Sequence, residues 1–383
     1  MRRAAARLAG VLALGLMAVA AQEPQAALQA QTELDAALER IRAEHGVTAL
    51  AACALRGGQL VGLAASGMRR RDRDTAVGVE DRWHLGSCTK AMTATLCAML
   101  VDEGRLRFEA TLPELFPELE ERMHADWREV TLLDLLRHRS GLCAAPLVDG
   151  LWRRMTEHEG PHAAMRAEIA EELLTRPAER SRGEFLYSNA GYIVVGAALE
   201  RLCQTSWEEL MTKRLFEPLG MTSAGFGAPG RDGALDAPQG HRGPRALPVG
   251  LGRGADNPPA LGPAGTVHAS LRDWAKFIAL HVGCDAQEPP LVKPATLARL
   301  HEAPVGGDYA CGFGVGRRPW ASGAVLSHSG SNTMWYCVVW ASPRDRFAVL
   351  VAANEAGTPA QRATDAAASA WIERFSPHRK RED

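Results

Sequence analysis

The chain has 383 residues, 46% of them hydrophobic and 23% charged, enough to bury a large core in one or two lobes. A formal net charge of -1 leaves no basic footprint for a nucleic acid. Beyond the first residues no apolar run approaches membrane-span length, and no internal repeat is visible.

Met1-Arg2-Arg3 followed by the apolar stretch Leu8 to Ala20 has the basic start, apolar middle and small-residue end of a signal peptide. Cleavage is expected near Ala20 or Ala21, which predicts a periplasmic or secreted protein over residues 22–383. The stretch is short for a stable span, and no cysteine follows it as a lipid anchor requires.

Thr32 to His45 has helical periodicity, and Val47 to Leu55 with Leu60 to Ala65 reads as a hairpin turning at Gly57-Gly58. Met68 to Asp74 is a charged, solvated connection, and a helix is predicted from Ser87 to Glu103, stopped by Gly104. To about residue 215 the chain reads as mostly helical, with breaks at Pro113, Pro117, Gly141 and Pro146. Glycine and proline crowd between Gly225 and Gly265, predicting long irregular loops that line a site or move. Tyr309 to Gly316, Ala324 to His328, Met334 to Trp340 and Phe347 to Ala353 read as strands, followed by a helix from Pro359 to Phe375 and a charged tail from His378 to Asp383. The expected fold is α+β: one antiparallel sheet flanked by the first and last helices, with a mainly helical lobe inserted and a site at the junction.

Ser87-Cys88-Thr89-Lys90 places a serine and a lysine three residues apart where the helical run begins. Residues at that spacing share a helix face, so Lys90 Nζ can reach Ser87 Oγ and take or stabilise its proton, and the helix start leaves backbone N–H groups beside the serine. A helix cap followed by a solvated lysine has the same spacing, so the reading depends on two later clusters. Tyr187-Ser188-Asn189 opens the apolar stretch Ile193-Val194-Val195 and offers a proton relay and a ligand for a substrate amide. In His328-Ser329-Gly330 the glycine would let a substrate lie close to a strand edge, whose backbone N–H completes an oxyanion hole.

Rival signals are weaker. His158-Glu159-Gly160-Pro161-His162 matches a zinc-protease pattern, but Gly160-Pro161 would break the helical face that both histidines need. No Gly-x-Ser-x-Gly elbow is present. Arg137-His138 and Trp335 fit either ligand contact or structural roles. The 8 cysteines (Cys53, Cys88, Cys97, Cys143, Cys203, Cys284, Cys311, Cys337) show no Cys-x-x-Cys pair, so their pairing stays open and buried small hydrophobe is the default. Cys88, next to the serine, is expected on a different face.

With these three clusters in this order, the chain resembles the penicillin-binding and class C β-lactamase superfamily of serine hydrolases over most of its length. Leu135-Leu136-Arg137-His138-Arg139-Ser140-Gly141-Leu142, Pro218-Leu219-Gly220-Met221-Thr222, and Ala264-Gly265-Thr266 leading to Leu271-Arg272-Asp273-Trp274 look like further landmarks of that superfamily. The resemblance implies a β-lactamase/transpeptidase-like fold with an α/β lobe from about 30–86 and 267–375 and a helical lobe with loops over about 87–266. It implies Ser87 as the nucleophile that forms an acyl-enzyme, Lys90 as its activator, Tyr187 as general base and Asn189 as substrate ligand. His328, Ser329 and Gly330 would line the pocket, and the N–H groups of Ser87 and Ser331 would form the oxyanion hole.

No metal or organic cofactor is implied, and the expected partner is a small-molecule or peptide substrate. Class C β-lactamases usually carry Lys-Thr-Gly where this chain has His-Ser-Gly, a version more typical of D-alanyl-D-alanine carboxypeptidases, D-aminopeptidases and esterases. A lysine is a permanent charge for a substrate carboxylate, whereas a histidine is largely neutral at pH 7. The reading is therefore a serine hydrolase of a D-amino-acid peptide, ester or amide, carboxypeptidase-like or esterase-like. The alternatives are a weak class C-type β-lactamase and a non-catalytic relative that binds cell-wall peptide. The sequence does not set the oligomeric state.

Overall fold

The computed structural model describes residues 28–378 apart from 146–149, 232, 244–246 and 252–253. The expected signal segment, the break at Pro146 and the tail beyond His378 lie outside the described residues.

Helix α1 covers residues 28–45 and leads into the hairpin β1 (Ala49–Arg56) and β2 (Gln59–Gly67). Gly57 and Gly58 take φ of 59° and 84°, the pair of positive values that a two-residue hairpin turn requires. The chain returns to the same sheet late, through β8 (Gly314–Arg317), β9 (Ala324–Ser331), β10 (Tyr336–Ser342) and β11 (Phe347–Ala353), and ends in α12 (Thr358–Phe375). These strands form one six-stranded sheet in the order β2-β1-β11-β10-β9-β8, with every pairing antiparallel.

The central strands are covered on both faces, which is why they read as continuous apolar runs. Leu50, Ala52 and Ala54 of β1 and Val349 and Val351 of β11 pack against α1 and α12, while Ala51, Cys53, Ala348 and Leu350 point into the larger core. Ala360, Ala363, Ala367 and Ala368 give α12 a face of small side chains that seats it close on the sheet.

Between the two halves of the sheet run β3 (Arg82–His84), α2 (Thr89–Asp102), and the short helices α3 (Leu112–Leu115), α4 (Leu132–Leu136) and α5 (Leu151–Glu157). The longer α6 (His162–Leu174) and α7 (Asn189–Cys203) follow, then α8 (Trp207–Met211). The two-residue strands β4 (Gly225–Phe226), β5 (His241–Arg242) and β6 (Leu247–Pro248) and the short α9 (Gly262–Gly265) occupy the glycine- and proline-rich stretch. β7 (Val267–Ser270), α10 (Leu271–His281) and α11 (Pro294–Leu300) lead back to β8. β3, β7 and β4 pair in a second, three-stranded sheet that brings the residues just before Ser87 against the segment after α9. From Thr89 to Leu100 every residue of α2 is buried, so the helix is a central strut and not an amphipathic surface element.

Several expected bounds shift: the strand predicted over Met334 to Trp340 runs from Tyr336 to Ser342, the one predicted to end at His328 continues to Ser331, and two further shifts have a local cause. The helix predicted from Ser87 begins at Thr89, because Gly86 to Cys88 form a tighter 3-10 turn entered through Gly86 at φ 48°. The strand predicted from Tyr309 begins at Gly314. Gly312, at φ 82°, folds the backbone against α2, where an added Cβ would lie 2.5 Å from Ala91 N. His158 and His162 fall on either side of a helix break, since α5 ends at Glu157 and α6 starts at His162. Among the described residues no helix is long and apolar enough to cross a membrane, and no group of three potential metal ligands occurs.

Candidate active site

Ser87 sits at the mouth of a cleft of about 590 Å³ that Tyr187, Tyr309, His328 and β9 also line. The 3-10 turn presents the serine partly exposed, while Lys90, one turn later, is fully buried behind it. Lys90 Nζ lies 3.2 Å from Ser87 Oγ, 2.7 Å from Asn189 Oδ1 and 2.7 Å from the carbonyl oxygen of Ala264. Burial pushes the Lys90 ammonium down to about 7. A neutral amine in this position donates its two protons to Asn189 and Ala264 and turns its lone pair toward the serine hydroxyl, the arrangement a general base needs.

Tyr187 lines the cleft with Ser87, and its ring lies 4.9 Å from Lys90 Nζ. Burial raises the phenol well above its ordinary value although the nearby Ser87 hydroxyl pulls the other way. The neutral phenol is thus a proton donor or relay, and of the two groups Lys90 is the easier to deprotonate. His138, which the sequence left between two roles, holds this tyrosine: its ring packs 4.2 Å from that of Tyr187, and its Nδ1 accepts the N–H of Ser188 at 3.0 Å. Burial keeps His138 neutral by lowering its pKa. Arg137 turns away to the carbonyl of Glu302.

Asn189 accepts Lys90 Nζ through Oδ1 and so orients the lysine; this uses the acceptor side of the amide, and the expected substrate contact through Nδ2 is compatible with it. Gly330 lines the cleft as expected, but its missing side chain does not make room for a substrate. The space it leaves is filled by the protein: a Cβ there would lie 2.0 Å from Leu85 O and 3.0 Å from Cys337 Sγ. The glycine lets β9 press on the turn that carries Ser87, and a substrate does not use that gap. The open edge lies beside it, because β8 pairs with β9 only as far as Ser327 and leaves His328 to Ser331 unpaired on that side. Ser331 N sits 2.3 Å from where a Gly86 Cβ would be, so the two expected arms of the oxyanion hole touch.

His328 lines the cleft with Ser329 and Ser331. Its Nδ1 faces the carbonyl of Ser329 at 2.6 Å and its Nε2 meets Tyr309 OH at 2.9 Å. Tyr309, missed in the sequence, therefore completes the site with its ring 4.8 Å from His138. Cys88 points away from the cleft, with its sulfur 3.7 Å from Cys337 Sγ, and Trp335 is fully buried against His84. All 8 cysteines are free thiols here. A separate cavity of about 550 Å³, lined by Phe226, Leu251 and Pro258, includes none of Ser87, Lys90 and Tyr187.

The sheet flanked by α1 and α12 and a serine-lysine-tyrosine cluster at the start of α2 define a β-lactamase/transpeptidase-like serine hydrolase class. The chain belongs to the beta-lactamase family, whose model matches residues 34–371. It is 30% identical over 183 residues to penicillin-binding protein 4 of Amycolatopsis lactamdurans, covering 48% of this chain and 46% of that protein. It is 26% identical over 161 residues to the lovastatin esterase of Penicillium rubens, covering 39% of this chain and 40% of that one. These matches span less than half the length of either curated relative. Among solved structures, a beta-lactamase from Sulfitobacter sp. EE-36 superposes with a TM-score of 0.72 at 19% identity, covering 91% of this chain and 99% of that one.

Proposed function

We propose that the protein is an active serine hydrolase that forms an acyl-enzyme on Ser87 and turns over neutral or cationic esters and amides, D-amino-acid derivatives among them. Neutral Lys90 takes the Ser87 proton as the oxygen attacks the carbonyl, and backbone N–H groups at Ser87 and Ser331 stabilise the oxyanion. Tyr187 passes the proton to the leaving group, and water later releases the acyl chain.

The observation that carries the substrate preference is that both ring nitrogens of His328 are engaged within the protein, so the residue standing where relatives carry lysine has no free N–H for a carboxylate. Asp365 of α12 also lines the cleft, without a hydrogen bond or ion pair to any described residue, and it disfavours an anionic substrate end. The match to a lovastatin esterase supports an ester-cleaving reading, while the penicillin-binding relative keeps the D-peptide reading alive. Export through the N-terminal segment belongs to the same proposal.

The test compares an N-acyl-D-alanyl-D-alanine peptide, its C-terminal amide and a p-nitrophenyl ester as substrates of wild type and Ser87→Ala. Ester and amide turnover that is lost in the serine variant, with the free carboxylate slower than the amide, is expected. Equal or faster turnover of the carboxylate peptide would overturn the preference, and undiminished turnover by Ser87→Ala would overturn the mechanism.

A further inference from the structure

The carboxylate of Asp256, in the loop between β6 and α9, contacts the side chains of His84 and Asn332, which flank the two backbone arms around the nucleophile. Its Oδ1 lies 2.8 Å from Nε2 of the fully buried His84, off the line that a good hydrogen bond prefers. The same oxygen accepts Asn332 Nδ2 at 2.8 Å and the Asn257 N–H at 2.6 Å. Each neighbour then holds one arm.

His84 Nδ1 accepts the Gly86 N–H at 3.1 Å, which pins the residue before Ser87 at φ 48°. An imidazole that accepts at Nδ1 carries its proton on Nε2, the nitrogen facing the carboxylate, so Asp256 favours the tautomer that the Gly86 bond needs. Asn332, next to Ser331, accepts the N–H groups of Met334 and Trp335 through Oδ1, both at 3.2 Å, and so shapes the loop after β9. Asn257 extends the same anchor, since its side chain holds the carbonyl of Gly265 at 2.9 Å, one residue after the Ala264 carbonyl that takes Lys90.

We propose that Asp256 is a positioning residue that holds the two arms of the oxyanion hole in register through His84 and Asn332. The proposal rests on Ser87 being the nucleophile. Asp256 itself does not touch the substrate.

Two substitutions at His84 separate this role from simple packing. In His84→Asn the side-chain oxygen can stand near Nδ1 and still accept the Gly86 N–H. In His84→Gln the amide stands near Nε2 and leaves Gly86 without an acceptor. With a p-nitrophenyl ester, His84→Asn should keep kcat within about tenfold of wild type. His84→Gln and Asp256→Ala should each lose about 10²-fold in kcat with KM changed less than about threefold. Packing alone predicts the reverse order, because glutamine fills more of the ring's volume than asparagine; that order, or wild-type kcat in His84→Gln and Asp256→Ala, overturns the proposal.

Hydrogen exchange of the peptide spanning residues 84–88 is the second readout and needs no turnover. Protection retained in His84→Asn and lost in both His84→Gln and Asp256→Ala supports the role, and wild-type protection in Asp256→Ala refutes it. A wild type inert toward every ester would sink the proposed function while this exchange comparison still decides the role of Asp256.

Discussion

Gly330→Ala is the most direct probe of how closely the sheet presses on the nucleophile turn. The new Cβ would stand 2.0 Å from the carbonyl oxygen of Leu85, and ordinary contact begins near 3.4 Å, so the two segments must part by about 1.4 Å. Neither can yield cheaply. Leu85 is fully buried and its N–H is bonded to Val267 O at 2.8 Å, while β9 is paired with β10 through Gly330 and Cys337. Overpacking of this kind costs about 1 to 3 kcal/mol, and a displacement of about 1 Å between Ser87 and the Ser331 arm costs about 10²-fold in rate. Gly316→Ala is the control, since its Cβ would meet only the flexible end of Arg318 at 3.3 Å. Denaturant unfolding and ester kinetics on the two variants read both effects. Wild-type stability and kcat in Gly330→Ala would refute the claim that this glycine admits Leu85.

Further expected outcomes address the base, the relay and the helical core. The acylation rate should climb with pH and level off above the Lys90 value of about 7, as the amine becomes free; a rate flat from pH 5 to pH 9 would remove lysine from the base role. The same group links to stability. Its folded pKa lies below the ordinary 10.5, so its contribution is full above about 10.5 and is lost as pH falls through about 7, which pH-dependent denaturant titrations of wild type and Lys90→Met would show as a difference. Tyr187→Phe should slow ester turnover by about 10²-fold to 10⁴-fold with folding intact by circular dichroism. Arg166 is fully buried between Glu200 and Glu208, to which it donates at 3.0 Å each, so Arg166→Met should cost about 3 to 5 kcal/mol in denaturant unfolding by stranding two carboxylates.

Much of the fold was legible because its signals are local. Gly57-Gly58 between two apolar runs can only be a tight hairpin, and the apolar run Phe347 to Ala353 became a fully buried strand with the bounds its pattern suggests. The serine-lysine spacing likewise survives folding intact, as the 3.2 Å contact shows. What stayed hidden depends on partners far apart in the chain. Nothing near Asn189 says that its oxygen will be taken by a lysine 99 residues away, and Gly330 reads as a substrate gap until Leu85 is found inside it. Tyr309 stands at the head of a predicted strand, where nothing marks it as the partner of His328, and Asp256 lies in the glycine- and proline-rich loops, where periodicity carries no signal. His84 stands three residues before Ser87, but its role needs the Gly86 N–H and the carboxylate of Asp256, much further along the chain.

The central claim is that Ser87 is acylated. Intact mass spectrometry of wild type and Ser87→Ala, quenched at intervals after mixing with a p-nitrophenyl ester, tests it directly. A transient gain of one acyl group on wild type alone, located to the peptide containing Ser87, is the predicted result. Ester cleavage without any adduct at the earliest times, or the same adduct on Ser87→Ala, would contradict it.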